Sequence, residues 1–245
     1  MERRDRGTVA TFFADAALAP GSRLELSEDA TQHVRALRLE VGSVIRLTNG
    51  RGTIAHGKLE HLTRHQTIAS VDEEKTIPPP PHVRLFVPVA DRERMLWLAE
   101  KCAEIGVAAW QPVAFRRSAS VAPRGQGEAF VRKARARMIA AIEQSGGAWL
   151  PDLCPELSLS EALVRADNVA ADRVLLERGA QALIGRKFRA VDAMVGPEGG
   201  LEEDERLLIV EKHGWLPVSI GETTLRFETA GVLAAGMLRA IVTTG

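Results

Sequence analysis

Apolar positions keep two different rhythms along this chain, and the change falls at one place. Up to residue 75 the pattern is short and alternating. The stretches SRLELS, SVIRLTNG and TIAHGKL put apolar side chains at every second position and are split by turn residues such as Asn49 and Gly50. A period of two belongs to strands with one buried face. EDATQHVRALRL departs from it and predicts a short helix capped near Ser27. The expectation for residues 1–75 is a small β-barrel, an architecture often used to bind RNA.

Residues 76–82 read TIPPPPH. Consecutive prolines continue neither a helix nor a central strand, so this stretch is expected to be a stiff linker. From residue 83 to 245, apolar runs alternate with helical patterns. HVRLFVPVA, VAAWQPVAF, RVLLERG, VDAMVG and WLPVSIG read as buried strands. Between them stand DRERMLWLAEKCAEIG, ending at Gly106, the long GEAFVRKARARMIAAIEQSG, and SLSEALVRADN, capped by Ser158 or Ser160. EEDERLLIVEKHG, stopped by Gly214, and ETAGVLAAGMLRAIV complete the series. Strands alternating with helices predict an α/β domain with a parallel sheet.

Composition narrows the class. The chain is 45% apolar and 26% charged, as a globular protein is. No apolar run approaches the roughly 20 residues that span a bilayer, and MERRDRGTVATFF lacks the apolar core of a signal peptide. A cytoplasmic protein without a membrane partner is expected. Cys102 and Cys154 have no zinc spacing and read as free thiols of a reducing compartment. His61 and His65 stand four apart without a third ligand, so no metal is expected.

Net charge is zero, but the charges are not evenly spread. Residues 116–137 hold seven Lys or Arg against the single acid Glu128. Arg116, Arg117, Arg124, Arg132, Lys133 and Arg137 are candidates to hold a polyanion, although a solvated helix face has the same composition.

Two stretches carry candidate chemistry. VGPEGGLEEDE, residues 195–205, leads a strand into a glycine turn and then into four acids. Glycine turns after strands usually hold ligands. This one has neither the Gly-Lys-Ser/Thr of a phosphate loop nor a GxGxxG fingerprint. The acids suit a helix N-terminus and would repel a diphosphate, so the turn suits a neutral or cationic ligand. IGETTLRFETAGVLAAG, residues 220–236, brackets Phe227 with Arg226 and Glu228 and enters a helix capped by Thr223 or Thr229. Gly231 and Gly236 inside that helix suggest close approach by another element or a ligand.

These two stretches together resemble the RsmE family, bacterial 16S ribosomal RNA uracil-N3 methyltransferases of the SPOUT superfamily. HVRALRLEVGSVIRLTNGRG, with His33, Leu37 and Arg38, is similar to the family's PUA-like barrel. EKCAEIGVAAWQP and RARMIAAIEQSGGAWLP resemble two further signatures. The chain departs from the family pattern at Gly147, where a basic residue is usual, and at Phe227, where a small or polar one is usual.

The resemblance implies a C-terminal parallel sheet tied in a trefoil knot, a homodimer, and S-adenosylmethionine as cofactor. It implies the 16S rRNA of the 30S subunit as partner and N3-methyluridine in the decoding region as product. Cofactor contacts would come from Leu176, Glu177, Gly196, Pro197, Glu198, Gly199, Gly200, Ile220, Gly221, Leu225, Arg226, Thr229 and Ala230. Arg226 would stabilise the uracil anion, with Glu228 as proton acceptor or as the residue that orients the loop. Arg35 and Arg38 would join the basic segment on RNA. A methyltransferase for another RNA position, a non-catalytic RNA-binding assembly protein and a dinucleotide oxidoreductase are the alternatives.

Overall fold

The computed structural model describes residues 9–118 and 124–242. The extreme N-terminus, where a leader was not expected, and residues 119–123 of the basic segment lie outside the described residues. The chain forms two compact units.

The first unit comprises the described residues up to Pro79 together with Ile139–Leu150. Its elements are β1 (Thr11–Phe13), β2 (Arg23–Glu25), α1 (Glu28–Ala36), β3 (Val44–Thr48), β4 (Thr53–Leu62) and β5 (Thr67–Thr76). They make one sheet in the order β1-β3-β4-β5-β2. β1 pairs parallel with β3, and the other pairs are antiparallel. β1 and β2 remain as edges, so the expected barrel is an open half-barrel. The Ser27 hydroxyl accepts from the Ala30 amide at 3.1 Å and caps α1, with Glu28 and Asp29 on its first turn. α1 buries Ala30 and Val34 against Phe12, Ile45, Leu47 and Leu59.

Two strands of this sheet carry little sequence signal. β1 is three residues long. β5 runs into Asp72-Glu73-Glu74-Lys75, all exposed, yet Glu73, Glu74 and Lys75 pair with β4 opposite His56, Ala55 and Ile54. Thr76 ends β5 rather than beginning the linker.

Residues 139–150 were expected in the α/β domain, but they pack with the first unit because several polar groups there fit its strands. The Glu143 carboxylate accepts from the Phe13 amide at 2.7 Å. Arg46 donates to the Gly146 carbonyl and Thr48 to the Gly147 carbonyl, each at 2.9 Å. The Trp149 indole donates to the Ile77 and Pro78 carbonyls, each at 3.0 Å. Gly147 is thus held through its backbone, and a side chain there would begin 3.2 Å from Ile142.

The second unit comprises Pro80–Met138 and the described residues from Pro151 onward. It begins with β6 (Val83–Pro88), α2 (Arg92–Ile105), β7 (Ala109–Ala114) and α3 (Glu128–Ser145), whose last residues belong to the first unit. β8 (Asp152–Leu153), β9 (Leu157–Ser158), α4 (Leu159–Asp167), β10 (Asp172–Ala182) and β11 (Val191–Met194) follow. α5 (Glu203–Leu207) continues into a π-helical turn, Leu208–Lys212, before β12 (Leu216–Ser219) and α6 (Phe227–Ile241).

The strands form a parallel sheet in the order β12-β10-β11-β6-β7-β8, with β9 also on β7. β6 is buried along its whole length, as a central parallel strand is. Arg84 on β6 and Asp192 on β11 are register partners and form a buried ion pair, which His82 joins at 3.1 Å. Phe86 meets Trp215 edge to face at 5.4 Å between ring centroids.

Helix ends follow local chemistry. Asp91 caps α2, and Gly106 ends it at φ 81°. Ser158, not Ser160, caps α4, through a reciprocal bond with Glu161. Gly214, at φ 64°, follows the π-helical turn. α6 differs from expectation: Arg226 occupies its N-cap position, and neither Thr223 nor Thr229 caps it.

Candidate functional site

Three strands of the second unit end side by side. The chain beyond their carboxyl ends encloses a cavity of about 320 Å³. The first wall is the middle of β10, from Leu175 to Arg178, just beyond its last pairing with β11. There the β10–β12 register slips between Leu176 and Gln181, and both residues face Val218. Residues 177–180 therefore leave the ladder, with Gly179 at φ 82°. The second wall is the glycine turn, contributing Val195, Gly196, Pro197, Glu198, Gly200 and Leu201. The third is Ser219, Ile220, Gly221, Thr223, Thr224 and Leu225, followed by Phe227 and Ala230. Carboxyl ends of neighbouring strands are where open parallel sheets bind ligands.

The structure brings together most of the expected cofactor residues: Leu176, Glu177, Gly196, Pro197, Glu198, Gly200, Ile220, Gly221, Leu225 and Ala230 line the cavity. Gly199, Arg226 and Thr229 are not among its lining residues. Gly199 turns toward Arg117, whose Cβ would lie 3.1 Å from any side chain placed there. Arg226 and Thr229 are exposed. Sequence reasoning did not name Leu175, Arg178, Val195, Leu201, Arg206, Ser219, Thr223, Thr224 and Phe227 as lining residues. All but Arg206 lie within two positions of an expected residue, so widening each loop would have found them.

Three acids of the run, Glu202, Asp204 and Glu205, are engaged by pairing. Arg116 forms an ion pair with Asp204, and its amide donates to the Glu205 carboxylate at 3.0 Å. Arg117 reaches Glu202 at 2.7 Å and the Gly199 carbonyl at 2.8 Å. Arg206 meets Glu177 at 2.6 Å. Glu205 accepts from the Glu202 amide at 3.0 Å and closes the first turn of α5. The hydrogen bond from Arg116 holds the Asp204 carboxyl below the usual carboxylate range. Arg116 and Arg117, expected on RNA, are thus engaged within the chain, because the acids that neutralise them lie about ninety positions away.

The other basic candidates are distributed over both units. Arg35 and Arg38 are exposed at and after the end of α1, and Arg38 adopts φ 55°. Arg124 bridges to Asp91 through the backbone. On α3, Lys133 pairs with Glu93 and Arg137 with Glu100, each at 3.0 Å, and Arg132 lies 3.8 Å from Glu128.

Glu228 is 9% exposed. One carboxylate oxygen lies 3.9 Å from Arg94, and the other is buried with no hydrogen-bond partner among the described residues. Cys102 and Cys154 are free and buried. Among the described residues no cluster of His, Cys, Asp and Glu is placed to hold a metal ion, and no helix is long and apolar enough to cross a membrane.

The cavity fits the cofactor implied by the resemblance. Its volume lies in the range of small-molecule sites, roughly 300–1,000 Å³. Three glycines let backbone approach a ligand, and Leu176, Leu201 and Leu225 offer it apolar cover.

Fold and cavity define a parallel α/β protein with a ligand site at the carboxyl edge of its sheet, joined to an open half-barrel unit. The chain belongs to the RNA methyltransferase domain family, whose model matches residues 78–239. The model of the RNA methyltransferase PUA domain matches residues 26–72. Ribosomal RNA small subunit methyltransferase E of Synechocystis is 26% identical over 85% of this chain and 69% of its own length. The protein of the same name from Rickettsia conorii is 23% identical over 93% of this chain and 94% of its own. Among solved structures, a Legionella pneumophila protein in complex with S-adenosylmethionine has a TM-score of 0.85 at 26% identity. It covers 96% of this chain and 98% of that one. Ribosomal RNA small subunit methyltransferase E of Neisseria gonorrhoeae, bound to S-adenosylmethionine, has a TM-score of 0.84, with the same identity and coverage.

Proposed function

We propose that this protein transfers a methyl group from S-adenosylmethionine to N3 of a uridine in 16S rRNA, the decoding-region position numbered 1498. The observation that carries the proposal is the cavity at the ends of β10, β11 and β12, built from the two stretches that resemble the RsmE family. When bound, S-adenosylmethionine would supply an electrophilic methyl carbon on a sulfonium: deprotonated N3 would bond to that carbon as the C–S bond breaks and its electrons leave with the sulfur. The family resemblance further implies that the C-terminal α/β domain is tied in a trefoil knot.

The chain's residues then have these roles. The backbone of Gly196, Gly200 and Gly221 would hold the cofactor, and Leu176 and Leu225 would cover its apolar parts. Uracil N3 lies on the pairing edge and carries a proton, so the base must be unpaired before reaction. Glu228 accepts that proton on its unpartnered oxygen. Arg226, exposed at the start of α6, donates to the carbonyl oxygens beside N3 as negative charge develops. Arg35, Arg38, Arg124, Arg132, Lys133 and Arg137 hold RNA phosphates, and Arg116 and Arg117 hold the cofactor loop. Solvated ion pairs such as Lys133–Glu93 contribute little, so a phosphate replaces them readily.

Thr229, Leu233, Gly236 and Ala240 form one exposed stripe along α6. We assign it to the contact with a second copy in a homodimer, which light scattering would detect.

The test is transfer of labelled methyl to undermodified 16S RNA and 30S particles, followed by primer extension. N3 methylation blocks pairing, so a reverse-transcriptase stop in the decoding region is expected. Label without that stop would move the activity to another atom or RNA. RNA binding without label would make the protein an assembly factor.

A further inference from the structure

The cavity and the proposed chemistry leave Arg94 unassigned. Arg94 lies on the first turn of α2 and comes from none of the cavity's three walls. Its Nη1 is 2.5 Å from Glu198 Oε1, and its Nε is 3.9 Å from Glu228 Oε1. Glu198 belongs to the glycine turn and lines the cavity. Glu228 is the second residue of α6, just beyond the third wall. One guanidinium therefore stands between two carboxylates carried by different walls of the site.

The state of Glu228 makes this arrangement informative. Its Oε1 faces Arg94, while Oε2 is buried and has no donor among the described residues. Buried carboxylate oxygens nearly always have a partner, and none of the described residues supplies one to Oε2, so this oxygen is open to a donor such as an incoming base. A cation on one side of a carboxylate limits its rotation and leaves the opposite oxygen to accept.

We propose that Arg94 is a positioning residue for methyl transfer. It holds Glu228 with Oε2 presented to the incoming base and, through Glu198, couples that carboxylate to the cofactor loop. This rests on the methyltransferase reading given above. Guanidinium suits the task because its planar fork serves two carboxylates at once, whereas a lysine ammonium is a point charge on a flexible stem.

The experiment is a double-mutant cycle of Arg94→Ala and Glu228→Gln. Single-turnover methyl transfer at saturating RNA is measured together with calorimetric affinity for S-adenosylmethionine. Arg94→Ala should slow transfer by about ten-fold or more and change cofactor affinity by less than about three-fold, the signature of a contact that matters for the chemical step. In the Glu228→Gln background, the same change should slow transfer by less than about two-fold further, because its target is already gone. Arg94→Lys should retain part of the rate, and it replaces Arg94→Ala in the cycle if the alanine variant does not fold. Rate losses that multiply in the double variant, or affinity and rate falling in parallel, would overturn the role of Arg94 alone. Absence of transfer by the unaltered protein, with cofactor and RNA both bound, would overturn this role and the function together.

Discussion

Arg206 and Glu177 meet fork to fork: Nε lies 2.6 Å from Oε1 and Nη2 lies 3.1 Å from Oε2. One comes from α5 and the other from the middle of β10, and both line the cavity. Two parallel charge-assisted bonds fix direction as well as distance. The hydrogen bond to Glu177 raises the Arg206 guanidinium above its ordinary value. Arg206→Ala is expected to weaken S-adenosylmethionine binding about ten-fold, or ~1.4 kcal/mol, because Glu177 loses its orientation. Isothermal calorimetry checks this, and unchanged affinity would reduce the pair to scaffolding.

Gly57 sits where the β4–β5 register shifts, and a Cβ there would come within 1.8 Å of the Ser70 carbonyl oxygen. Backbone cannot yield as a side-chain tip can. Gly57→Ala should destabilise the protein by about 1–3 kcal/mol, the usual range for forced overpacking. Urea denaturation would read the loss. Gly42→Ala is not a suitable control, despite open space around it, because its φ of 91° strains any side chain.

The Glu143 carboxyl is raised above its ordinary value chiefly by burial, against the opposing bond from the Phe13 amide. Its stabilising contribution is therefore complete below the unfolded pKa and is lost as pH rises through the folded pKa. Glu143→Gln keeps an acceptor for Phe13 and removes the titration. The variant should gain stability relative to the parent as pH rises above about 4, the ordinary carboxylate value, until the folded protein releases the proton. A constant difference across that window would contradict the prediction.

Burial pushes the Cys102 thiol far above its ordinary range, and the side chain has no exposed surface. The thiolate is the reacting form, so Cys102 should resist maleimide in the native protein and label readily in denaturant. Mass spectrometry of the labelled peptide separates it from Cys154, whose thiol burial also raises. Rapid native labelling of Cys102 would indicate local opening of α2.

Much of the second unit is legible in its sequence because its signals are local. Apolar runs become buried strands, and Asp91, Gly106 and Ser158 end helices by contacts within a few residues. The cavity is legible for the same reason, since its walls are strand ends and the turns that follow them. Signals that depend on distant partners are not. Arg116 and Arg117 look like a free basic patch until Asp204 and Glu202 are brought beside them. β5 reads as solvated where Glu73 and Glu74 lie, since only the ladder to β4 makes it a strand. Gly231 was expected to mark close approach, and its partner is Leu98, 2.8 Å from where a Cβ would sit. At Gly236, with the same local sequence signal, an added Cβ would meet nothing within 4 Å among the described residues.

The first unit is discontinuous in the chain, and this sets a schedule for its synthesis. Pro79 and Leu150 are separated by 71 positions, as their numbers give. At translation speeds of roughly 5–20 residues per second, about 4–14 s pass before Trp149 and Glu143 can reach Ile77 and Phe13. During that interval the nascent half-barrel lacks the contacts that residues 139–150 supply, while much of α2, β7 and α3 is still being made. Cutting the gene at the prolines would make the delay permanent: the fragment would end with Phe13, Arg46 and Thr48 still without their partners.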